Sequence, residues 1–226
     1  AGNLIHGGNG STRTYGIFTE YSSPNIWNNT IFGGVPGISD SQGIGAYYTG
    51  TPRIYNNTID GGTGSGAYGI RYGDAPPPSA ATGEPCTPYI QNNIISTSNT
   101  GSCIFEYNST GENALAVEYN DLWDTGGTSY YAYRDIGGSN YQGSDITAFN
   151  GLSFASGNVS TDPQFVDRDG GGDITYVLDN DWHLDSGSPY SVTVGGQSLS
   201  AYFTQDKDGN DRTGSWSMGA YEFDPF

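Results

Sequence analysis

The chain has 226 residues, including 36 glycines and 11 prolines, and only 34% of its residues are hydrophobic. This turn-rich balance suits a narrow core better than a thick globular one. Seven Lys and Arg against 24 Asp and Glu give a net charge of −17, which excludes nucleic acid and anionic membranes as favoured partners because both are bound through basic side chains.

Two short phrases alternate through the first half of the chain. The first has apolar residues around an Asn pair, at 26–31, 54–59 and 90–95, with a variant at 117–122. The second is Gly-Ile at 16–17, 43–44 and 69–70, and Cys-Ile at 103–104. These segments are short, rich in Ile, Tyr, Phe and Thr, and bounded by Gly, Asn and Pro, which indicates strands and turns. The spacing between successive copies of the first phrase, which start at 26, 54, 90 and 117, predicts a solenoid in which each period is one coil.

Stacking such coils at about 4.8 Å puts equivalent residues above one another. Three inward columns are predicted: Ile26, Ile54, Ile90 and Val117; Ile31, Ile59, Ile95 and Leu122; Ile17, Ile44, Ile70 and Ile104. Between the first two, Asn29, Asn57, Asn93 and Asn120 are expected to form a hydrogen-bonded ladder at a bend that favours Asn. Asn28, Asn56, Asn108 and Asn158 begin Asn-x-Ser/Thr sequences, so glycosylation is an alternative use of these positions.

The chain is expected to begin within a coil, because Leu4-Ile5-His6-Gly7-Gly8 matches the end of the first phrase. An open coil exposes apolar side chains and unpaired strand edges, which proteins cover. A second copy or an upstream β-helix is therefore the expected partner at this end. A head-to-tail contact that does not close would build a filament.

The two cysteines are expected to form a disulfide. Cys86 lies in a Pro-rich insertion and Cys103 begins a strand of the following coil. An even cysteine count in an extracellular chain favours a bridge over two buried thiols.

Acidic residues crowd two Gly-containing segments near the end of the chain. Both place oxygen-bearing side chains at alternate positions, as a calcium loop requires. A network of Asx turns would explain the same pattern without a metal. The predicted ligands are Asp167, Asp169 and Asp173 in the first segment, and Asp206, Asp208 and Asn210 in the second.

These phrases together resemble the right-handed parallel β-helix proteins of the pectate-lyase-like superfamily. The later segments 162–166, 184–189, 206–212 and 219–223 are similar to the closing part of many secreted bacterial β-helix proteins. The resemblance implies an all-β, right-handed parallel β-helix of about five coils. Residues 1–135 would form the coils, and 136–226 the last coil or coils and an irregular capping tail of the same domain. It also implies an extracellular or cell-surface location.

No convincing catalytic constellation is present. A uronide lyase of this fold needs a base and neutralisation of the carboxylate, for which Arg71, Tyr72 and Asp60 are the best candidates. A glycosidase needs converging carboxylates, and no Asp-Asp pair marks a strand. Anionic uronic-acid polymers are also disfavoured by the charge of −17, unless calcium bridges the surfaces. No catalytic residue is assigned.

Outward aromatic residues are the remaining candidates for recognition. Trp27 and Tyr55 occupy equivalent positions on adjacent coils, and Phe32 and Trp123 share a second outward column. Such rings can stack on sugars or shield the sheet by stacking on each other. We therefore expect an extracellular, non-catalytic structural β-helix that self-associates in a surface appendage, filament or matrix. The alternative is a carbohydrate-binding or carbohydrate-processing fragment of a larger secreted protein.

Overall fold

The structure is a computed structural model, and it describes residues 1–36, 39–73, 85–98, 101–107, 113–124, 130–168 and 180–224. The chain is all-β, with 45% strand and 6% helix, and its parallel strands stack into a β-solenoid of about four turns. The sequence predicted about five coils. Each wall holds five parallel strands, and four turns separate the first strand of a wall from its fifth.

Three parallel sheets form the walls. The first sheet contains Leu4–His6, Thr30–Phe32, Thr58–Asp60, Ile94–Thr97 and Asp121–Asp124. The second and widest contains Thr14–Glu20, Asp40–Tyr47, Gly66–Gly73, Ser102–Tyr107 and Tyr131–Asp135, to which Tyr141–Gln142 adds an antiparallel strand. The third contains Asn25–Trp27, Arg53–Tyr55, Tyr89–Gln91, Ala116–Glu118 and Ala155–Ser156.

The three predicted inward columns are confirmed by the strand registers. Ile31 pairs with Ile59, Ile44 with Ile70, and Ile54 with Ile90, each in parallel alignment. These side chains belong to one buried cluster that runs the length of the solenoid. Each isoleucine packs against the walls beside it and the coils above and below, so a narrow interior is filled by few residues.

The Asn pairs form the corner between the third and first sheets. The first residue of each pair has left-handed backbone angles, with φ of 54° at Asn28, 47° at Asn56 and 57° at Asn92. The second residue makes the predicted ladder: Asn29 Nδ2 donates to Asn57 Oδ1 at 2.9 Å, and the pattern continues through Asn93, Asn120 and Asn158. The ladder also includes Asn3 and Asn150 at its two ends.

Three of the four Asn residues considered for glycosylation have a structural role. Asn28, Asn56 and Asn158 are all buried, and their side-chain amides are hydrogen-bonded within the fold. An attached glycan would have to break these bonds, so the three sites are structural in the folded chain. Asn108 lies outside the described residues.

The last coil and the described residues after it are mostly irregular. The 3₁₀ turn Gly143–Asp145 and the helix Ile146–Phe149 lie within the last coil, before the strand Ala155–Ser156, and Phe149 stacks on Tyr133 of the second sheet at 4.8 Å. A two-stranded antiparallel hairpin follows, Phe165–Asp167 with Asp181–Leu184, and then the helix Tyr190–Thr193. A second small parallel pair joins Asn9–Gly10 to Val35–Pro36. None of the described helices is long and apolar enough to cross a membrane.

Candidate binding faces

The final part of the chain, residues 180–224, here called the tail, returns over the Asn corner. The first Asn of each pair points outward and binds it. Asn56 Nδ2 donates to the Ser217 carbonyl at 3.0 Å, and Asn92 exchanges two hydrogen bonds with Gln197, at 2.6 and 2.9 Å. The two positions of each Asn pair therefore have different roles. The second Asn connects neighbouring coils, and the first connects the tail to the coils.

Arg212 lies at the centre of the tail, with its side chain fully buried. Its guanidinium donates to Glu222 at 2.7 Å, to the Gly219 carbonyl at 2.9 Å and to Asn28 of the first Asn pair at 3.4 Å. Burial lowers the pKa of Arg212 and raises that of Glu222, and the attraction between the two charges opposes both shifts. Because both side chains are withdrawn from water, removal of either Arg212 or Glu222 would leave the other charge buried without compensation.

The four aromatic residues predicted to stack on sugars are engaged by other parts of the chain. Trp27 stacks on Phe203 of the tail at 5.6 Å, and Tyr55 is buried against Tyr202. Phe32 is buried in a cluster with Trp182, Ala220 and Tyr221. Trp123 is half-buried beneath the guanidinium of Arg168, 5.1 Å from the ring centroid. The outward rings of the first and third sheets thus contact the tail and the segment before it, and sugar binding at these four positions stays a prediction.

The second predicted calcium loop is organised by its own hydrogen bonds. The carboxylate of Asp206 accepts N–H groups from Asp208, Asn210 and Glu222, together with the Asn210 side-chain amide. Asp208 instead pairs with His183 at 2.9 Å. In the described ranges, no group of three or more His, Cys, Asp or Glu is placed to hold a metal. Asp167 lies in the hairpin, Asp169 and Asp173 lie outside the described residues, and calcium stays a prediction.

The predicted disulfide is not formed. Cys86 and Cys103 are both buried free thiols. The backbone of Cys86 pairs with that of Gly50 in an isolated parallel β-bridge near the start of the third sheet. The Cys103 thiol instead donates to the Trp123 carbonyl of the first sheet at 3.3 Å. The two cysteines therefore contact different sheets. Burial raises the pKa of Cys86 to about 12 and that of Cys103 well above its usual value, so neither thiol is poised to react.

The three lyase candidates lie in separate environments. Asp60 is on the first sheet, where it accepts from Ser96 and pairs with Arg168 at 3.5 Å. Tyr72 points into the solenoid, and its hydroxyl donates to buried Glu106 at 2.8 Å. Arg71 points outward from the second sheet. The structure therefore brings no two of them together.

The outer side of the second sheet carries a dense set of aromatic and arginine side chains, which we call the arginine–aromatic face. A local departure from strand alternation creates it. A side chain on Gly43 or Gly69 would collide with an inward isoleucine of the first sheet, so both residues of each Gly-Ile phrase face inward. The residues on either side then face outward. The face comprises Tyr15, Phe18, Tyr47, Tyr68, Arg71, Phe105, Tyr107, Tyr131 and Arg134.

Arg71 is the centre of this face and is only 5% exposed. Its guanidinium lies 4.8 Å from the ring centroid of Tyr107, 5.3 Å from Phe105 and 5.4 Å from Tyr68. It also pairs with Asp40 at 3.2 Å. Tyr68 and Phe105 also stack on each other, with their ring centroids 5.0 Å apart. The rings and the guanidinium thus stabilise one another without a ligand.

Three of the seven basic residues of this acidic chain gather here. Arg134 lies 5.0 Å from the Phe105 ring, and Arg13 pairs with Asp40 at 3.7 Å with 38% of its side chain exposed. The sequence analysis singled out Arg71 as a lyase candidate, but it did not bring Arg71 together with the other outward residues of this sheet. The missing signal was the glycine itself, which marks a place where two sheets approach too closely for a side chain.

Comparisons of the chain with family models, with curated proteins and with solved structures found no match.

Asp121, on the first sheet, provides a prediction about pH. It is fully buried, and its Oδ2 has no hydrogen-bond partner in the described structure. Burial is the largest cause that raises its pKa well above the usual value, and the Thr161 N–H opposes it. A raised pKa in the folded state means that the contribution to stability is present at acid pH and is lost as the carboxyl ionises with rising pH.

We therefore expect Asp121→Asn to raise the melting temperature at pH 7, by roughly 2–6 °C if about 1–2 kcal/mol is recovered. At about pH 3.5 the difference should nearly vanish, because the carboxyl is then largely protonated in the unfolded chain as well. Thermal unfolding followed by circular dichroism measures both values. Glu20→Gln at an exposed site is the matched control. An equal effect at both pH values would contradict the assignment.

Proposed function

We propose that this chain is a non-catalytic, extracellular β-solenoid that binds an uncharged polysaccharide across its arginine–aromatic face. The observation that carries the proposal is the layer of partly exposed aromatic rings around buried Arg71, with Arg134 and Arg13 beside it, on the outer side of the widest sheet. Among the described residues, no hydrogen bond or ring contact joins the tail to this face. We also propose that the chain is related to the right-handed parallel β-helix proteins of the pectate-lyase-like superfamily.

The spacing of the face favours a polymer over a small molecule. Tyr15, Tyr68 and Tyr131 share one column on alternate rungs, with Gln42 and Ser102 between them. Alternate rungs are about 9.6 Å apart. A chain of repeating sugars that ran along the solenoid axis would therefore meet equivalent groups at a constant interval.

The chemistry of the face suits hydroxyl-rich ligands. Tyrosine hydroxyls can donate to and accept from sugar hydroxyls, the guanidinium N–H groups of Arg13 and Arg134 can donate to them, and Phe18, 49% exposed, offers an apolar surface. Because the side chains are already fixed by stacking, little conformational entropy is lost on binding. The net charge of −17 opposes an anionic polymer at long range. Self-association, the other function expected from the sequence, stays a prediction.

Affinity electrophoresis through gels containing soluble polysaccharides tests the proposal. Dextran, xyloglucan and galactomannan are the neutral probes, and alginate and polygalacturonate are the acidic ones. We expect retardation by at least one neutral polymer. Phe18→Ala and Arg134→Gln should each weaken it about five- to tenfold, the equivalent of roughly 1–1.4 kcal/mol per lost contact.

Val166→Ala is the control, because Val166 is 54% exposed and lies on the hairpin away from the second sheet. It should leave retardation unchanged. The proposal is wrong if no neutral polymer retards the chain, or if both face variants bind as the parent does while remaining folded.

A further inference from the structure

A second candidate binding site lies in the tail, away from the second sheet. It is a cavity of about 530 Å³, within the range of small-ligand pockets. One side is formed by the helix Tyr190–Thr193 and Val194, the other by the loop 210–215, and residues 222–224 complete it. Tyr190 is 81% exposed, the most exposed large apolar or aromatic residue described. An aromatic ring held in water beside an open cavity is available to a ligand.

The lining defines which ligand would fit. Three carboxylates line the cavity, those of Asp211, Glu222 and Asp224, and no basic side chain is among its lining residues. Buried Arg212 neutralises Glu222 from behind, through the 2.7 Å ion pair. The remaining negative charge excludes anions. A bare metal ion would leave most of the volume empty, and it would gain nothing from the apolar lining of Val194 and Phe223.

The geometry points to a neutral mono- or disaccharide as the ligand of this cavity. A sugar has an apolar face of C–H groups and a rim of hydroxyls, and the cavity offers a counterpart to each. Tyr190 and Phe223 supply the apolar surfaces, while carboxylates and the hydroxyls of Thr193, Thr213 and Ser215 accept from and donate to sugar hydroxyls. Glu222 is pre-oriented, since its two oxygens both accept the Ser217 N–H at 3.2 Å. This site does not rest on the polysaccharide proposal, because it shares no residue with the arginine–aromatic face.

Ligand-observed NMR and calorimetry with glucose, galactose, mannose, xylose, cellobiose and maltose test the site. We expect saturable binding of at least one sugar, and a five- to tenfold loss of affinity in Tyr190→Ala. Asp211→Asn should also weaken binding, because a carboxylate accepts hydroxyl hydrogen bonds better than an amide. Tyr190→Ala should keep the parent melting temperature, since so exposed a side chain contributes little packing.

The controls separate this site from the other one. Phe18→Ala should bind the small sugar as the parent does, and Tyr190→Ala should retain retardation by the polysaccharide. The inference is overturned if none of the sugars binds saturably, or if Tyr190→Ala and Asp211→Asn bind with parent affinity. Binding of choline or Ca²⁺ at Tyr190 in place of every sugar would overturn it as well.

Discussion

Replacement of Asn93 by alanine should lower the free energy of unfolding by about 3–5 kcal/mol, because several buried polar groups lose their partners together. Asn93 is fully buried in the middle of the ladder. Its Oδ1 accepts from the backbone and side chain of Asn57 at 2.9 and 3.1 Å, and its Nδ2 donates to the carbonyls of Ile54 and Gln91 at 2.8 and 3.0 Å. Alanine can replace none of these bonds, and water has no access to the site.

Urea unfolding followed by circular dichroism measures this effect, and the midpoint of thermal unfolding should fall by roughly 10 °C. Asn25→Ala is the matched control, since Asn25 is exposed on the third sheet and belongs to no ladder. This control should change the free energy of unfolding by less than about 0.5 kcal/mol. If Asn93→Ala lowers the free energy of unfolding by less than about 1 kcal/mol, neighbouring coils can satisfy their hydrogen bonds without the ladder.

The repeating part of the fold could be predicted from the sequence because its signals are local and recur. An inward isoleucine and a bend-forming asparagine act in the same way in every coil, so each copy supports the interpretation of the others. The prediction assigned the bend to the Asn pair, and the structure separates the two roles. Asn28 carries the left-handed backbone, and Asn29 carries the ladder. Gly157 and Asn158 continue both roles in the last coil, where Ala155 takes the place of the first isoleucine of the phrase in the buried cluster and Ser160 stands at the position of the second.

The sites could be predicted far less well, because they depend on contacts between distant parts of the chain. Nothing within the phrase around Tyr55 indicates that Tyr202 and Trp216 will cover it. The same applies to Asp206. Its sequence context is that of a metal ligand, whereas in the structure its carboxylate accepts the N–H groups of Asn210 and Glu222. An outward aromatic residue or an acidic loop has the same sequence pattern whether its partner is a ligand or its own chain.

Arg212 gives the prediction that best tests how the tail is held. In Arg212→Met the volume is largely kept, but Glu222 loses its charged partner and the carbonyls of Ser217 and Gly219 lose donors at 3.2 and 2.9 Å. Removal of one member of a buried ion pair leaves an uncompensated charge, so we expect a loss of about 3–5 kcal/mol. This loss should fall on the tail rather than on the coils, because the inward isoleucine columns do not involve Arg212.

The expected signature is a tail that opens before the solenoid unfolds. Trp27 and Trp216 should then meet water, which shifts tryptophan emission to longer wavelength, and proteases should cut within residues 197–222 while the coils stay intact. Arg13→Met removes a half-exposed arginine of the Asp40 pair and should cost less than about 1 kcal/mol, as surface pairs do. Combining Arg212→Met with Glu222→Gln should recover part of the loss, since the buried charge is then gone. A single transition with the parent protease pattern would mean that the hydrogen bonds from the Asn56 and Asn92 side chains to the tail backbone hold the tail without Arg212.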